Sequence, residues 1–308
     1  MIQSLFGATR WKQSAPGTQR VPGAPGKMSM EGKTCLITGA TRGHGRACAL
    51  GLAALGAEIL PLGRNPERLE ALSRELEAQT GRKPLEPVVC DLSSLHEVER
   101  AASELLERAP AFHVLINNAG LVRRKQELTV DGYETTMAMN YLAHFHLTRR
   151  ILPLLRHRQP ARILNVSSDT HRIVTLPIHD LNAEGGYSWL LAYSHSKLAM
   201  VYFTMELHRR LEGTLVSANA LDPGPVESGI GQDNPGLTAA VLPWVMKAFF
   251  PTAAQAARTA IYAAASPELQ VGERERGLSG RYFRSMGVKE PRIDTVDTSI
   301  SRRLWGLS

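Results

Sequence analysis

Thr34-Cys35-Leu36-Ile37-Thr38-Gly39-Ala40-Thr41-Arg42-Gly43-His44-Gly45-Arg46-Ala47-Cys48 reads as a short apolar strand, a glycine-rich turn and the start of a helix, and that order decides the fold. Glycines at this point allow a tight turn, close approach of the backbone to a pyrophosphate and close packing of the helix on the strand. The helix N-terminus then presents free N–H groups and the positive end of its dipole to phosphates. A glycine triplet alone is often just a turn. Between the first strand and first helix of a βαβ series it marks a nucleotide site, with Gly39, Thr41, Arg42, Gly43, His44 and Gly45 as the candidate phosphate contacts.

That series extends through the chain. From Gly32, short apolar or β-branched runs alternate with helical patterns, the signature of a parallel sheet with helices on both faces. The strand candidates are Thr34 to Thr38, Glu58 to Leu62, Leu85 to Cys90, His113 to Asn117, Arg162 to Ser167, Val216 to Leu221 and Gly280 to Phe283. Helical patterns cover Arg46 to Leu55, Glu67 to Gln79, Leu95 to Leu106, Tyr133 to Leu155, Leu190 to Leu211 and Ala253 to Ala265. No Pro/Gly-rich linker interrupts the series after residue 31 and no repeat is evident, so residues 32–308 read as a single α/β domain.

The first 31 residues differ in kind. Residues 1 to 30 carry Arg10, Lys12, Arg20 and Lys27 and no acid, so of the net charge of +7 they supply +4 and the remainder only +3. A nearly balanced domain gives no electrostatic case for nucleic acid. The segment is rich in Pro, Gly, Ser, Thr and Gln, cannot bury a core and reads as a disordered basic tail. Two readings stay open for it: an organelle transit peptide, which would make the location mitochondrial or another organelle, or a stretch upstream of a true start at Met28 or Met30. The three cysteines, Cys35, Cys48 and Cys90, lie in apolar contexts without CxxC spacing, as buried thiols of a reducing compartment, and the cytoplasm is the expected location. No run of about 18 apolar residues exists, so no transmembrane segment is expected, while a peripheral membrane contact stays open.

The second strand ends Leu62-Gly63-Arg64-Asn65. A ribose 2′-hydroxyl calls for an acid at this tip and a 2′-phosphate for a base. Arg64 stands there and Arg42 can reach the same phosphate from the glycine turn. One charge-assisted bond contributes roughly 1.5 to 3 kcal/mol, which after a discount for solvent favours NADP(H) over NAD(H) about tenfold. Read blandly, both arginines are surface charges.

Tyr193-Ser194-His195-Ser196-Lys197 puts a phenol and an ammonium on one face of a long helix. A phenol holds its proton to a pKa of about 10, and a cation one turn away should pull that value down, tuning the group to exchange a proton with an alcohol oxygen. Alone the pair is weak, because both residues are common on solvated helix faces.

With the glycine turn, Asn117-Asn118-Ala119-Gly120 after the fourth strand, and Tyr193 with Lys197, the chain resembles the short-chain dehydrogenase/reductase family over residues 32 to about 285. The stretches His113 to Gly120, Ala192 to Ala199 and Leu221 to Gly224 are most similar to the retinol dehydrogenase-like and X-linked branch of the dehydrogenase/reductase group. The resemblance implies a Rossmann-type, doubly wound sheet of seven parallel strands with the substrate cleft at the strands' C-terminal ends. It implies that Ser168 hydrogen-bonds the reacting oxygen, that Tyr193 is the general acid/base, and that Lys197 lowers its pKa and holds the nicotinamide ribose. Asn140 matches the residue that anchors a proton-relay water through a backbone distortion. For the cofactor it implies an adenine contact at Asp91 beside Leu92, an adenosine wall at Asn117, Ala119 and Gly120, and a 2′-phosphate site at Arg64 and Asn65. Pro223, Gly224, Val226 and Ser228 match the turn beside the nicotinamide. Two departures, His44 in place of an apolar residue and Pro225 in a loop that usually donates an N–H, bear on the cofactor pose. The family's long helices commonly pair across a two-fold axis, which implies a homodimer.

The implied activity is NADP(H)-dependent interconversion of a hydrophobic alcohol and its aldehyde or ketone. Residues 228–251, with Leu237, Val241, Leu242, Trp244, Val245, Met246, Phe249 and Phe250, read as a lid over a retinoid, sterol or lipid-like substrate; a core or dimer contact is the bland alternative. A non-catalytic NADP(H)-binding redox sensor would carry the same cofactor motifs. A hydrolase built on Ser168, Asp169 and His171 fails, because three neighbours on one strand end cannot form a triad's hydrogen-bond chain. His195 points off the shared Tyr193–Lys197 face and reads as structural. No histidine shows metal-ligand spacing, and no metal is expected.

Overall fold

Thr34–Thr38 is buried at every position, as a central parallel strand covered on both faces must be. In the computed structural model, which describes residues 18–19, 28–108, 111–155, 159–224, 252–269, 278–291 and 297–308, this strand lies inside one sheet, paired on both sides. In chain order the strands are β1 (Thr18–Gln19), β2 (Thr34–Thr38), β3 (Glu58–Gly63), β4 (Val88–Val89), β5 (Val114–Asn117), β6 (Ala161–Val166), β7 (Val216–Asp222), β8 (Tyr282–Arg284) and β9 (Gly287–Lys289). Their order across the sheet is β1-β9-β8-β7-β6-β5-β2-β3-β4. From β8 to β4 every pairing is parallel, with Cys35 opposite both Ile59 and Val114. The order reverses between β2 and β5, and in such a sheet the crevice beyond the strand ends at that point is where ligands bind.

The seven parallel strands match the expected number, but the sheet does not stop there. Ser285 and Met286 take positive φ values of 49° and 61°, turning the chain back so that β9 pairs antiparallel with β8. β1 then adds antiparallel to β9, with Thr18 opposite Lys289. The tail expected to be wholly disordered therefore contributes one strand to the sheet. The ordered domain also starts earlier than residue 32: Met30 is 3% exposed and its N–H donates to Leu55 O at 2.8 Å. Residues 1–17 and 20–27 lie outside the described residues. The expected strand from Leu85 to Cys90 shortens to Val88–Val89, since Pro87 has no N–H for the ladder.

Helices α1 (Gly43–Ala54), α2 (Pro66–Thr80) and α7 (Ala253–Ala265) cover one face, and α3 (Leu95–Arg108), α5 (Ala143–Leu155) and α6 (Trp189–Arg210) the other. Alternation along the strands feeds two cores: Cys35, Ile37, Val114 and Ile116 pack with α1 and α7, and Leu36, Leu115 and Ile163 with α3, α5 and α6. A short α4 (Thr135–Met137) runs through a π turn, Ala138–Leu142, into α5. A last helix, α8 (Thr298–Leu307), seats Trp305 with its ring centroid 4.9 Å from Phe145 and 5.9 Å from Phe203. Among the described residues no helix is long and apolar enough to cross a membrane.

Candidate active site

The turn after β2 is built to take a phosphate. Gly39 and Gly43 adopt φ values of 64° and 48°, where a side chain is strained. A Cβ at Gly39 would lie 2.9 Å from Ala119 Cα, and one at Gly45 only 2.3 Å from Gly39 O, so the glycines set how closely α1 approaches the strand ends. Arg42 precedes α1 in extended conformation, its side chain does not cap the helix, and no acid occupies the first turn. The first N–H groups of α1 therefore keep their capacity for an anion.

Gly39, Thr41, Arg42, Gly43, His44 and Gly45 line a cleft of ≈ 260 Å³, and so do Arg64, Asn65, Asp91, Leu92, Ala119 and Gly120. The sequence-expected cofactor residues on β2, β3, β4 and β5 thus converge, with one exception. Asn117 is turned away: its Nδ2 donates to Thr148 Oγ1 at 2.9 Å and Asn165 Oδ1 at 2.8 Å in the core. The strand's alternation sends residue 117 inward, and its neighbour Asn118, which the sequence reading passed over, lines the cleft instead. Asn118 Nδ2 donates to Thr38 O at 2.8 Å, and its Oδ1 lies 2.8 Å from His44 Nδ1. His44, a departure from the apolar residue usual there, is thereby buried with a polar partner. Arg68 joins Arg42 and Arg64 at the cleft and was also missed. Asn65 accepts the Arg68 N–H at 2.8 Å as the N-cap of α2, and Asp91 accepts from Ser93 N at 2.9 Å and Ser93 Oγ at 2.8 Å. Both side chains first shape the loops that border the cleft.

Beyond the cleft's inner end stand Ser168, Tyr193, Lys197 and Asn140. A Cβ at Gly120 would meet Asn140 Oδ1 at 3.1 Å and Lys197 Nζ at 3.5 Å, which fixes both next to the cleft floor. Asn140 sits in the π turn, where the Ala143 N–H reaches back five residues to Ala138 O. This is the backbone distortion expected at that residue, and its side chain is already engaged: Oδ1 accepts from Leu121 N at 2.8 Å and Nδ2 donates to Ser196 Oγ at 3.0 Å. Ser168 lies just past the end of β6, and its hydroxyl acts on the Tyr193 phenol, drawing that pKa down. The turn that follows, Asp169–Ile173, is anchored through Asp169, which accepts from Tyr282 Oη at 3.1 Å and Lys289 Nζ at 2.6 Å and pairs with Arg284.

One electrostatic expectation is corrected. Lys197 does not pull the Tyr193 phenol down; burial pushes it up to about 12, the Ser168 hydrogen bond offsetting only part of that. Lys197 Nζ lies 5.5 Å from the centre of the Tyr193 ring and donates to Val166 O at 3.0 Å. Burial brings the ammonium itself down to about 8, while the negative charge of Asp222 draws it back up. Asp222, buried at the end of β7, is a site residue that the sequence reading did not single out. Its Oδ1 accepts the Gly224 N–H at 2.9 Å in the Pro223-Gly224 turn, where φ at Gly224 is 80°. Pro225, Val226, Ser228 and the expected lid 228–251 lie outside the described residues.

The glycine turn, the cleft and the Ser168–Tyr193–Lys197 group occur together within the stretch, residues 33–235, that matches the sequence model of the family described as short chain dehydrogenase. The chain belongs to the short-chain dehydrogenase family. It is an oxidoreductase of the kind that acts on CH–OH groups with a nicotinamide cofactor, and it falls in the retinol dehydrogenase-like branch. Retinol dehydrogenase 14 of Homo sapiens is 41% identical over 328 residues, spanning 100% of this chain and 95% of that protein. Among solved structures, an uncharacterized protein from Mycobacterium Paratuberculosis is 31% identical with a TM-score of 0.70, covering 91% of this chain and 93% of its own. A candidate NAD(P) dependent gluconate 5-dehydrogenase from Beutenbergia cavernae, with NADP bound at low occupancy, is 27% identical with a TM-score of 0.65, covering 84% of this chain and 97% of its own.

Proposed function

We propose that this dehydrogenase uses NADP(H) to interconvert a hydrophobic alcohol and its aldehyde or ketone. The observation that carries the cofactor choice is the cluster of Arg42, Arg64 and Arg68 at one end of the cleft, with Asp91 as the single carboxylate among the described lining residues. Three guanidinium groups suit a 2′-phosphate, and Asp91 is already engaged with Ser93. The glycine turn and the α1 N-terminus would hold the pyrophosphate, and Lys197 the nicotinamide ribose.

When bound, the nicotinamide supplies or accepts the hydride. Ser168 Oγ–H donates to the substrate oxygen and orients it. Tyr193, fully protonated at neutral pH because burial holds its pKa up to about 12, gives its proton to that oxygen as negative charge develops. In the oxidation direction the same phenol must lose a proton first, a step that its burial opposes.

The hydrophobic substrate class rests on the apolar composition of residues 228–251 and on the exposed Ile173, Trp189, Leu190 and Leu191, which lie within five positions of Ser168 or Tyr193 in the chain, Ile173 being 68% exposed. Retinoids, sterols and long-chain aldehydes are the substrates to test, alongside short aldehydes. The decisive experiment is a turnover screen with NADPH and NADH on the wild type, Tyr193→Phe and Arg64→Glu. Turnover with NADPH that Tyr193→Phe abolishes and Arg64→Glu shifts toward NADH supports the reading. Equal rates in all three proteins would sink it.

A further inference from the structure

A buried run of hydrogen bonds joins the cofactor turn to the catalytic helix, and His144 stands in its middle. Thr38, His144, Asn140 and Ser196 are each 0% exposed. His144 Nδ1 lies 3.1 Å from the main-chain oxygen of Asn140, and Nε2 lies 2.9 Å from Thr38 Oγ1. A carbonyl only accepts, so Nδ1 carries the proton and Nε2 accepts from the threonine hydroxyl. That hydroxyl has a proton to give, because its oxygen is taken up accepting the N–H groups of Asn118 at 2.9 Å and Ala119 at 3.0 Å. Its other acceptor, Ile116 O, is farther, at 3.4 Å. On the far side, Asn140 Nδ2 donates to Ser196 Oγ at 3.0 Å, and the Ser196 hydroxyl donates to Tyr193 O at 2.7 Å.

Each member belongs to a different element: Thr38 to the end of β2, Asn118 and Ala119 to the loop after β5, Asn140 to the π turn, Ser196 to α6. We propose that His144 is a positioning residue, its two ring nitrogens fixing Asn140, and with it Tyr193 and Lys197, in register with the strand end that carries the cofactor turn. The inference rests on the dehydrogenase reading above for its effect on rate, though not for its geometry. A buried histidine that only fills space would tolerate any side chain of similar volume. A positioning histidine distinguishes its two nitrogens: asparagine puts a donor near the place of Nδ1 and keeps the bond to Asn140 O, glutamine reaches toward Thr38 and keeps the other, and leucine keeps neither.

In His144→Leu, kcat should fall on the order of 10²-fold, the loss typical of a roughly 1 Å misplacement of catalytic groups, with the dissociation constant of NADPH changed by less than about threefold. His144→Asn should regain about tenfold or more of that loss and turn over faster than His144→Gln, since the π turn is what must be held. A His144→Leu protein whose kcat stays within about twofold of wild type overturns the proposal. If that variant does not fold, the Asn and Gln variants decide: His144→Asn equal to or slower than His144→Gln overturns it. Nitrogen NMR of ¹⁵N-histidine-labelled protein gives a readout without turnover, the Nδ1–H tautomer being expected for His144 and the Nε2–H tautomer overturning the network. A wild type that shows this tautomer yet reduces no carbonyl refutes the dehydrogenase reading and leaves the network standing.

Discussion

Replacing Gly45 with alanine would drive a methyl carbon to 2.3 Å from Gly39 O and 2.4 Å from Asn118 Nδ2. Ordinary contact begins near 3.4 Å, so about 1 Å of separation is missing. Neither neighbour can yield cheaply: the Gly39 N–H is bonded to Leu62 O at 2.8 Å, and Asn118 Nδ2 to Thr38 O at 2.8 Å. The first turn of α1 must therefore move away from the strand ends, taking its N–H groups with it. A displacement of about 1 Å costs on the order of 10²-fold at a positioned site, so the NADPH dissociation constant should rise about 100-fold, roughly 2.7 kcal/mol. Gly43→Ala is the control. Nothing lies within 4 Å of a Cβ there, so the penalty is left-handed backbone strain at φ 48°, roughly 1–2 kcal/mol, felt as lower thermal stability. Fluorescence titration of NADPH and a thermal melt on both variants separate the two effects. Gly45→Ala protein that melts like the wild type and binds NADPH within about threefold of it would refute the steric argument.

Two further outcomes follow from the electrostatics. Lys197 is held at about 8 by burial, so its positive charge is present below that pH and lost above it, and kcat/KM for NADPH should fall on the alkaline side of about 8. Asp222 draws that value up; Asp222→Asn, which keeps an acceptor for the Gly224 N–H, should move the falling limb to lower pH, and a limb that stays put or moves up refutes the assignment. Separately, Arg162 caps the C-terminus of α7, donating to Ala263 O at 3.1 Å, Ala264 O at 2.6 Å and Ser266 O at 2.6 Å. Arg162→Met leaves those carbonyls buried without the guanidinium and should cost roughly 2–4 kcal/mol, lowering Tm by about 3–6 °C, whereas a Tm within about 1 °C of wild type would count against the cap.

Much of this was legible in the sequence because the signals were local. The glycine turn needs only residues 39 to 45 in order, and the Tyr193–Lys197 pair only the helix between them. Asn117 and Asn118 show where local reading runs out: two identical side chains in a row, and only the pairing of β5 with β6, which sets Asn117 opposite Asn165, decides which one faces the core. The π turn at Asn140 carries no composition signal, since it changes the hydrogen-bond register and not the residue types. The lysine was expected to lower the phenol's pKa from spacing alone. How deeply both groups are buried, which reverses that expectation, is a property of the packed tertiary structure. The strand β9 and the helix α8 escaped because short elements near a chain end have too few residues to show a period.

Asp169 ties the residue after Ser168 to Tyr282, Arg284 and Lys289, partners more than 110 positions later in the chain. On a ribosome, the glycine turn and its first βαβ units can assemble as soon as they emerge. The turn after Ser168, the serine proposed to orient the substrate, receives these three partners only after the chain has been made through Lys289. Nucleotide binding should thus precede catalytic competence during synthesis, and a nascent chain halted before Tyr282 would lack three of the partners that hold the turn after Ser168.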